Sequence, residues 1–254
     1  MPIHVPLDQW RPGRSVAHRC GMAGSIGAFV ELSRKTREAL ELPLDVPLRA
    51  FASVSHVLAP PGVNADKDDY ILSPGPPDVP RVAIYRCAKL KNFTELTPPG
   101  GGKGPTIIND HDIAFAVMND LKQVSNHIPN PENTKQLVTL DGIHSDEEIK
   151  KIVADSAPVF MFGRKTGFSK GKLIDISRAT ISLEVYPNYP FYFRGCLVVK
   201  SNDPKMQFSV RGDSGALVYS RQRKAVGFVI GANGCITYLY SAKSSLDYMG
   251  LNLL

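Results

Sequence analysis

Short apolar or β-branched runs, each bounded by Gly, Pro or another turn-forming residue, recur along the whole chain. Runs of this length and spacing are typical of strands in an all-β sandwich or barrel. In the first half of the chain the runs cover residues 25–31, 46–54, 82–88 and 113–118. In the second half they cover residues 159–163, 173–176, 180–185, 191–200, 207–210, 216–219, 226–230 and 235–240. The pattern therefore predicts an all-β protein with two strand-rich halves.

Helical signals are confined to three places. Ser145 and Glu148 have the Ser-x-x-Glu spacing in which each side chain bonds a backbone N–H group at a helix start, so we expect a short helix over residues 146–155. Residues 244–251 are predicted to form a last helix opened by a serine cap. Residues 32–42 also have helical spacing, yet they lie between two strand-like runs and could instead be an excursion from the sheet.

A polar, proline-containing stretch, residues 119–157, separates the two strand-rich halves. We therefore divide the chain into a lead segment 1–23, a first β-barrel 24–118, a linker 119–157 with the short helix, and a second β-barrel 158–254 that ends in the last helix. Two small barrels that share one function would fit the length of 254 residues.

The charge and hydropathy of the chain exclude several function classes. The 30 Lys and Arg residues against 24 Asp and Glu give a net charge of +6, a mild excess that indicates a solvated surface rather than a nucleic-acid footprint. No apolar run approaches the roughly 20 residues needed to cross a bilayer, so we expect no membrane partner. Residues 1–10 lack the continuous apolar core of a signal peptide, and we expect a cytoplasmic protein.

The four cysteines, Cys20, Cys87, Cys196 and Cys235, lie far apart and form no Cys-x-x-Cys pair. This spacing does not fit a zinc site, so we expect no metal, and nothing else in the sequence indicates a cofactor. In a reducing compartment all four thiols are expected to be free, although an even number leaves disulfides open.

The tetrapeptide Gly212-Asp213-Ser214-Gly215 lies between two strand-like runs. A serine hydroxyl acts as a nucleophile only when it is exposed and has a base beside it, and flanking glycines permit the tight turn that exposes it. The same turn could direct the N–H groups of Gly212 and Ser214 at one point, which would make an oxyanion hole. An ordinary β-turn is the alternative, because Gly, Asp and Ser are common turn residues.

A base and an acid for this serine are found in the first half. His56 follows the apolar run 50–55 and is predicted to lie where a strand opens into a loop. Asp112 directly precedes the run 113–117, where a carboxylate beside buried apolar residues needs a hydrogen-bonding partner such as a histidine ring. Asp110 and His111 are the rivals, with exposed turn residues as their alternative role.

Three motifs thus follow one another in the order His, Asp, Ser: Ser53-Val54-Ser55-His56, Asp112-Ile113-Ala114 and Gly212-Asp213-Ser214-Gly215. In this order and at these intervals they resemble the trypsin/chymotrypsin-like serine peptidases. Three further segments resemble the intracellular, bacterial-type members of that class. They are Gly163-Arg164-Lys165-Thr166-Gly167, the run 225–231, and Met249-Gly250-Leu251 at the end of the last helix.

The resemblance implies a chymotrypsin-like fold of two six-stranded antiparallel β-barrels with the active site in the cleft between them. His56 and Asp112 would come from the first barrel and Ser214 from the second. The implied activity is hydrolysis of a protein or peptide through an acyl-enzyme, in limited proteolysis of an intracellular protein. A pseudopeptidase of the same fold, kept as a protein-binding module, is the alternative.

The sequence departs from the secreted members of this class. They have cysteines at the positions of Val57 and Val210, so their disulfides are absent here. They are also activated when a freed N-terminus inserts beside the aspartate that corresponds to Asp213, and this chain has no such Ile-Val-Gly-Gly start. Activation would then be constitutive or come from an activating partner, and Arg211 is a candidate local partner for Asp213.

The resemblance also gives three substrate-binding residues. It implies that Phe208 forms the base of the pocket for the residue before the cleaved bond, where an uncharged ring would disfavour Arg and Lys. Gly231 would pair with the substrate backbone, and Ala232 would narrow the entrance of the pocket. We interpret the basic cluster around Arg164 and Lys165 as a charged hairpin tip, because the phosphate-binding pattern is not met.

Overall fold

The computed structural model describes residues 10–19, 21, 23–78, 85–98, 108–119, 124–186 and 189–254. In these ranges the strands are β1 (Ser15–His18), β2 (Gly24–Ser25), β3 (Ala28–Leu32), β4 (Ala50–Ser53), β5 (Tyr70–Ser73), β6 (Tyr85–Phe93), β7 (Ile108–Asn109), β8 (Ala114–Met118), β9 (His127–Pro129), β10 (Leu137–Thr139), β11 (Pro158–Gly163), β12 (Gly167–Ile176), β13 (Ile181–Tyr186), β14 (Tyr189–Phe193), β15 (Leu197–Ser201), β16 (Leu217–Ser220), β17 (Ala225–Asn233), β18 (Ile236–Ser241) and β19 (Leu251–Leu253). The helices are α1 (Arg34–Ala39), α2 (Ser55–Leu58), α3 (Asp146–Ala154) and α4 (Ala242–Met249), with a 3₁₀ turn at Pro76–Asp78.

The second half forms a closed antiparallel barrel of six strands in the order β11-β12-β15-β18-β17-β16. Residues that alternate along these strands point inward, so Val159, Met161, Leu173 and Val199 are buried in one core cluster. The six-stranded barrel expected in this part of the chain is confirmed, and with it the all-β fold class.

The first half forms an eight-stranded curled sheet, in the order β19-β3-β4-β8-β6-β5-β1-β2, in place of the expected six-stranded barrel. We call this sheet and its loops the first lobe. Two of its strands fall outside the predicted range 24–118. Strand β1 lies in the predicted lead segment and pairs with β2 and β5, and β19 comes from the C-terminal end and pairs with β3. Apolar side chains explain both additions, because Val16 and Leu251 are buried in the core.

The two predicted helices are present with small shifts. Helix α3 has the predicted capping box, since Glu148 N donates to Ser145 Oγ over 3.2 Å and Ser145 N donates to Glu148 Oε2 over 2.8 Å. Helix α4 begins after the cap Ser241 rather than at residue 244, and it ends at Gly250, whose φ of 64° is left-handed. None of the helices in the described ranges is long and apolar enough to cross a membrane.

Two small sheets complete the fold. Strands β13 and β14 form a hairpin, and β14 pairs in parallel with β7 of the first half. Strands β9 and β10 form a second hairpin within the predicted linker, so the linker has sheet structure as well as α3. The β13 strand passes close to β17, and this approach brings it to the cleft described below.

The described cysteines differ strongly in environment, which predicts a simple order of reactivity. Cys87 and Cys196 are buried free thiols whose pKa is raised by desolvation to about 12, whereas Cys235 is free and exposed. Since the thiolate is the reactive form, iodoacetamide should modify Cys235 in the native protein and reach Cys87 and Cys196 only after unfolding. Cys20 lies outside the described residues. Mass spectrometry of unreduced, unfolded protein should find four adducts; fewer would contradict the prediction of four free thiols.

Candidate active site

His56 and Asp112 are brought together by neighbouring strands. Strands β4 and β8 pair with Ser53 opposite Ala114, so the end of β4 and the beginning of β8 lie at the same edge of the sheet. The one-turn helix α2 follows β4 and carries His56. His56 Nδ1 lies 2.6 Å from Asp112 Oδ2, and the backbone N of His56 donates to Asp112 Oδ1 over 3.1 Å. Their burial and these two bonds fix the imidazole relative to the carboxylate, since His56 is 3% exposed and Asp112 0%.

This arrangement also determines which nitrogen of the ring can act as a base. A carboxylate only accepts hydrogen bonds, so the Nδ1 of His56 carries the proton in the bond to Asp112. The Nε2 of a neutral ring is then left as the acceptor. The predicted rivals have other partners. Asp110 binds Arg194 in an exposed ion pair that lowers the pKa of the carboxyl, and the His111 ring stacks on Tyr248 at 4.2 Å between centroids.

Ser214 lies on the turn before β16 and is half-buried. It shares the wall of one cavity, of about 430 Å³, with His56, Gly212 and the β17 residues Gly231 and Ala232. The structure therefore brings His56 and both predicted oxyanion residues, Gly212 and Ser214, to one cavity, and Asp112 lies directly behind the histidine.

A backbone hydrogen bond connects the first lobe to the turn that carries Ser214. Ser25 N donates to Ser214 O over 2.8 Å, and Ser53 Oγ donates to Ser25 O over 2.8 Å. Gly215 has a φ of 85°, and a Cβ there would lie 2.0 Å from Ser53 Oγ. Only glycine fits this position, because any side chain would collide with the first lobe and adopt an unfavourable backbone conformation.

The turn leaves two amides for a ligand. Asp213 N donates to Val210 O over 3.0 Å and Gly215 N to Val229 O over 2.8 Å, whereas the amides of Gly212 and Ser214 donate no hydrogen bond to any residue that the structure describes. Gly212 has a φ of 106°, which side-chain-bearing residues rarely adopt. Both predicted oxyanion donors are therefore available, and their role as an oxyanion hole stays a prediction.

The carboxylate of Asp213 is fully buried beneath the same turn, at 0% exposure. Its Oδ1 accepts from the backbone N of Lys165 over 2.7 Å and of Thr166 over 3.0 Å. Its Oδ2 accepts from Val210 N over 2.9 Å and from the Thr166 hydroxyl. Arg211 was the candidate partner expected from the sequence, and none of these four donors was expected. Three of the four are backbone amides, which no residue type marks in a sequence.

Two of the three predicted substrate-binding residues lie at the cavity, and their role in binding stays a prediction. Gly231 and Ala232 line the cavity. Phe208 does not belong to the cavity lining; it is 1% exposed and packs in the core of the second barrel, where it fills the space beside Gly171. The expectation that Phe208 forms the base of the pocket is therefore wrong. The ring lies in the barrel core, because Gly171 has no side chain and leaves room for a large apolar group there.

Strand β13 contributes a wall of the cavity that was not expected from the sequence. Leu183, Glu184 and Val185 line the cavity, and a Cβ on Gly231 would lie 3.3 Å from the Leu183 side chain. The alternation of buried Leu183 and Val185 with exposed Glu184 was visible as a strand, but nothing in the sequence indicated that this strand approaches β17.

A second group with similar chemistry lies at another cavity, of about 340 Å³. Ser220 Oγ lies 2.7 Å from His144 Nε2, and His144 Nδ1 lies 3.3 Å from Glu148 Oε2. Ser220 is 2% exposed and also accepts from the Gln222 amide of its own hairpin turn. The hydroxyl therefore holds a turn and a histidine in place, and it serves below as a control.

The comparisons with known proteins support the fold. No protein-family model and no curated protein sequence matches the chain. Among solved structures, protease A of Thermobifida fusca is 16% identical with a TM-score of 0.59, covering 97% of this chain and 98% of its own. A Nocardiopsis protease is 14% identical with a TM-score of 0.60, over 96% and 98%. A chymotrypsin of Cellulomonas bogoriensis is 15% identical with a TM-score of 0.57, over 97% and 98%.

At this identity the likeness establishes architecture. The chain has the fold of the bacterial trypsin/chymotrypsin-like serine proteases, with one closed six-stranded barrel and one curled sheet. The resemblance stated from the sequence motifs is thereby confirmed at the level of fold.

The packing of Asp213 makes Gly163 a sensitive position. A Cβ on Gly163 would lie 2.4 Å from Asp213 Oδ1, so Gly163→Ala should lower the free energy of unfolding by about 2–3 kcal/mol through overpacking. Gly62→Ala is the control, because a Cβ at residue 62 would have no atom within 4 Å. Its positive φ alone should lower the free energy of unfolding by about 1 kcal/mol. Urea unfolding measures both, and equal losses would show that Asp213 does not constrain residue 163.

Proposed function

We propose that the protein is a serine endopeptidase that cleaves peptide bonds through an acyl-enzyme, with Ser214 as nucleophile, His56 as base and Asp112 as the group that orients the base. One observation carries the proposal: a buried, carboxylate-bound histidine and a serine on a glycine-flanked turn line the same cavity. The fold comparison supports it, because the structural neighbours are serine proteases.

The chemistry follows from the positions of these groups. Ser214 Oγ bonds to the substrate carbonyl carbon while His56 Nε2 takes the hydroxyl proton, and the Gly212 and Ser214 amides stabilise the oxyanion. His56 then gives that proton to the amine nitrogen as the C–N bond breaks, which leaves an acyl group on Ser214. A water molecule then releases the acyl group by the same steps. His56 takes a proton from the water while the water oxygen bonds to the acyl carbon, and His56 returns the proton to Ser214 Oγ as the ester bond breaks.

A pseudopeptidase that only binds peptides is the second candidate. The observation that favours it is that no hydrogen bond joins Ser214 to His56 among the residues that the structure describes. Such bonds are often long in unliganded enzymes and tighten only when substrate binds. We therefore propose the peptidase as the function. If a fluorophosphonate probe fails to label Ser214, the protein is the peptide-binding module instead.

The proposed setting is limited proteolysis of a cytoplasmic protein or peptide substrate. The buried thiols Cys87 and Cys196 are free, which suits a reducing compartment. Activation is proposed to be constitutive, since Asp213 already has four donors and needs no inserted N-terminus. An activating partner would be required only if the isolated protein fails to react.

Labelling with a fluorophosphonate probe tests the nucleophile. The wild-type protein should become labelled at Ser214, and Ser214→Ala should abolish both labelling and turnover, with a loss of roughly a million-fold in kcat. Ser220→Ala is the matched control, because Ser220 also has a histidine partner but lies at the other cavity, and it should keep full labelling. Persistent labelling of the Ser214→Ala variant would refute the assignment.

Kinetics of the supporting residues test the acid. His56→Ala should lower kcat nearly as far as Ser214→Ala, and Asp112→Asn should fold normally and lose about four orders of magnitude through the wrong histidine tautomer. Asp110→Asn should retain activity, because Asp110 contacts Arg194 rather than His56. If the large loss occurs in Asp110→Asn instead, Asp112 is not the acid.

Cleavage of a peptide library tests the substrate preference. Five apolar residues line part of the cavity, so we expect cleavage after uncharged, apolar residues such as Leu; the five are Leu183, Val185, Val210, Val229 and Ile230. Glu184→Gln should leave that preference unchanged. Dominant cleavage after Arg or Lys, lost in Glu184→Gln, would contradict the prediction and make Glu184 the countercharge.

A further inference from the structure

Arg164 is the first residue of the turn between β11 and β12, and its side chain reaches the first lobe. Two of its nitrogens donate to the two carboxylate oxygens of Asp78, and Nη1 donates to Ala23 O over 3.2 Å. The arginine and aspartate side chains are 12% and 29% exposed. Partial burial alone would raise the pKa of Asp78, but the bonds from Arg164 and Ser15 outweigh it and lower the pKa. Asp78 therefore stays ionised, and the pair is a sheltered, two-pronged contact.

The backbone of the same turn links this contact to the nucleophile. Arg164 N donates to Ser25 Oγ over 3.0 Å, and Ser25 N in turn bonds Ser214 O. The next two residues, Lys165 and Thr166, donate to Asp213. Three consecutive residues therefore connect the first lobe to the carboxylate beneath the serine turn.

The guanidinium of Arg164 also lies directly beside the proposed oxyanion turn. A Cβ on Gly212 would lie 2.7 Å from Arg164 Nη1, so the side chain packs against the backbone that carries one of the two oxyanion donors. Arg164 lines the cavity as well. Its charge is already neutralised by Asp78, which leaves position and packing as its main contribution at this site.

We propose that the Arg164–Asp78 ion pair is a latch between the two halves of the protein, and that Arg164 is a positioning residue that holds the 210–214 turn in the geometry required for transition-state binding. The latch rests on the proposed peptidase function for its kinetic consequences only. It acts through Gly212 and Asp213, so its loss should lower kcat rather than weaken substrate binding.

The test compares Arg164→Met, Asp78→Asn and the double variant with the wild-type protein. Arg223→Met is the matched control, because Arg223 makes an Arg–Asp pair with Asp141 away from the cavity. Two readouts are measured: kcat and KM on one peptide substrate, and amide hydrogen exchange of the segment 208–216 by mass spectrometry. The second readout does not require catalysis.

We expect Arg164→Met and Asp78→Asn each to lower kcat by between about tenfold and a hundredfold, since a shift of the order of 1 Å in a catalytic group has such an effect. KM should change less than about threefold, and exchange in the segment 208–216 should be faster. The double variant should match the single variants, because each removes the same link. Arg223→Met should resemble the wild-type protein in both readouts.

Three results would overturn the latch: unchanged exchange in the segment 208–216, a rise in KM with kcat unchanged, or additive losses in the double variant. A rise in KM alone would make Arg164 a substrate-binding residue. If the wild-type protein neither turns over a substrate nor reacts with fluorophosphonate, the proposed function fails. The exchange comparison then still decides whether Arg164 and Asp78 hold the turn.

Discussion

The buried carboxylate of Asp213 sets the strongest constraint on how the serine turn packs within the second barrel. An ionised carboxylate without hydrogen-bond donors is too costly to bury, so donors must surround it wherever the turn is formed. Here they come from residues 165, 166 and 210, at 3.0 Å or less for each of the backbone amides. These bonds join the β11–β12 hairpin turn of the second barrel to the serine turn, and Gly163 leaves the space that this packing needs.

The candidate site lies where this serine turn meets the first lobe, because Ser25 N donates to Ser214 O. His56 and Asp112 are held by adjacent strands of the first lobe, and Ser214 is held by the second barrel. The Ser25 amide that bonds Ser214 O belongs to the first lobe, so Ser214 is positioned from both sides. A site assembled this way depends on the relative placement of two separately packed cores, which explains why small residues such as Gly215 occur at the contact.

The parts that sequence reasoning predicted correctly are those with a local physical signal. Strand periodicity gave the all-β class, and the Ser145–Glu148 spacing gave helix α3 to within one residue at its end. The His56–Asp112 contact was expected because a carboxylate beside an apolar run needs a hydrogen-bonding partner such as a histidine ring, and the structure joins the two residues at 2.6 Å. Strands β1 and β19 were missed because three- or four-residue strands have too few alternations to recognise.

The remaining misses concern contacts with no local signal. The inward direction of Phe208 depends on which neighbours surround it in the closed barrel, and a position counted back from Ser214 does not give this direction. Three of the four donors to Asp213 belong to Lys165 and Thr166, 48 and 47 residues away in sequence, and two of these three are backbone groups. The approach of β13 to the cleft depends on the pairing of β14 with β7, a contact between the two halves of the chain.

The two serine–histidine–carboxylate groups of this protein show that residue types alone do not define a reactive site. Ser220 lies 2.7 Å from its histidine, as a nucleophile would, yet it is 2% exposed and its oxygen also accepts a bond from the hairpin turn. Ser214 is half-buried, lies on a turn whose Gly212 and Ser214 amides have no acceptor among the described residues, and faces the cavity that it shares with His56. A reacting carbonyl needs room beside the hydroxyl and donors for its developing negative charge. Ser214 meets both requirements, whereas the hydroxyl of Ser220 is buried and already bonded to His144 and to the Gln222 amide.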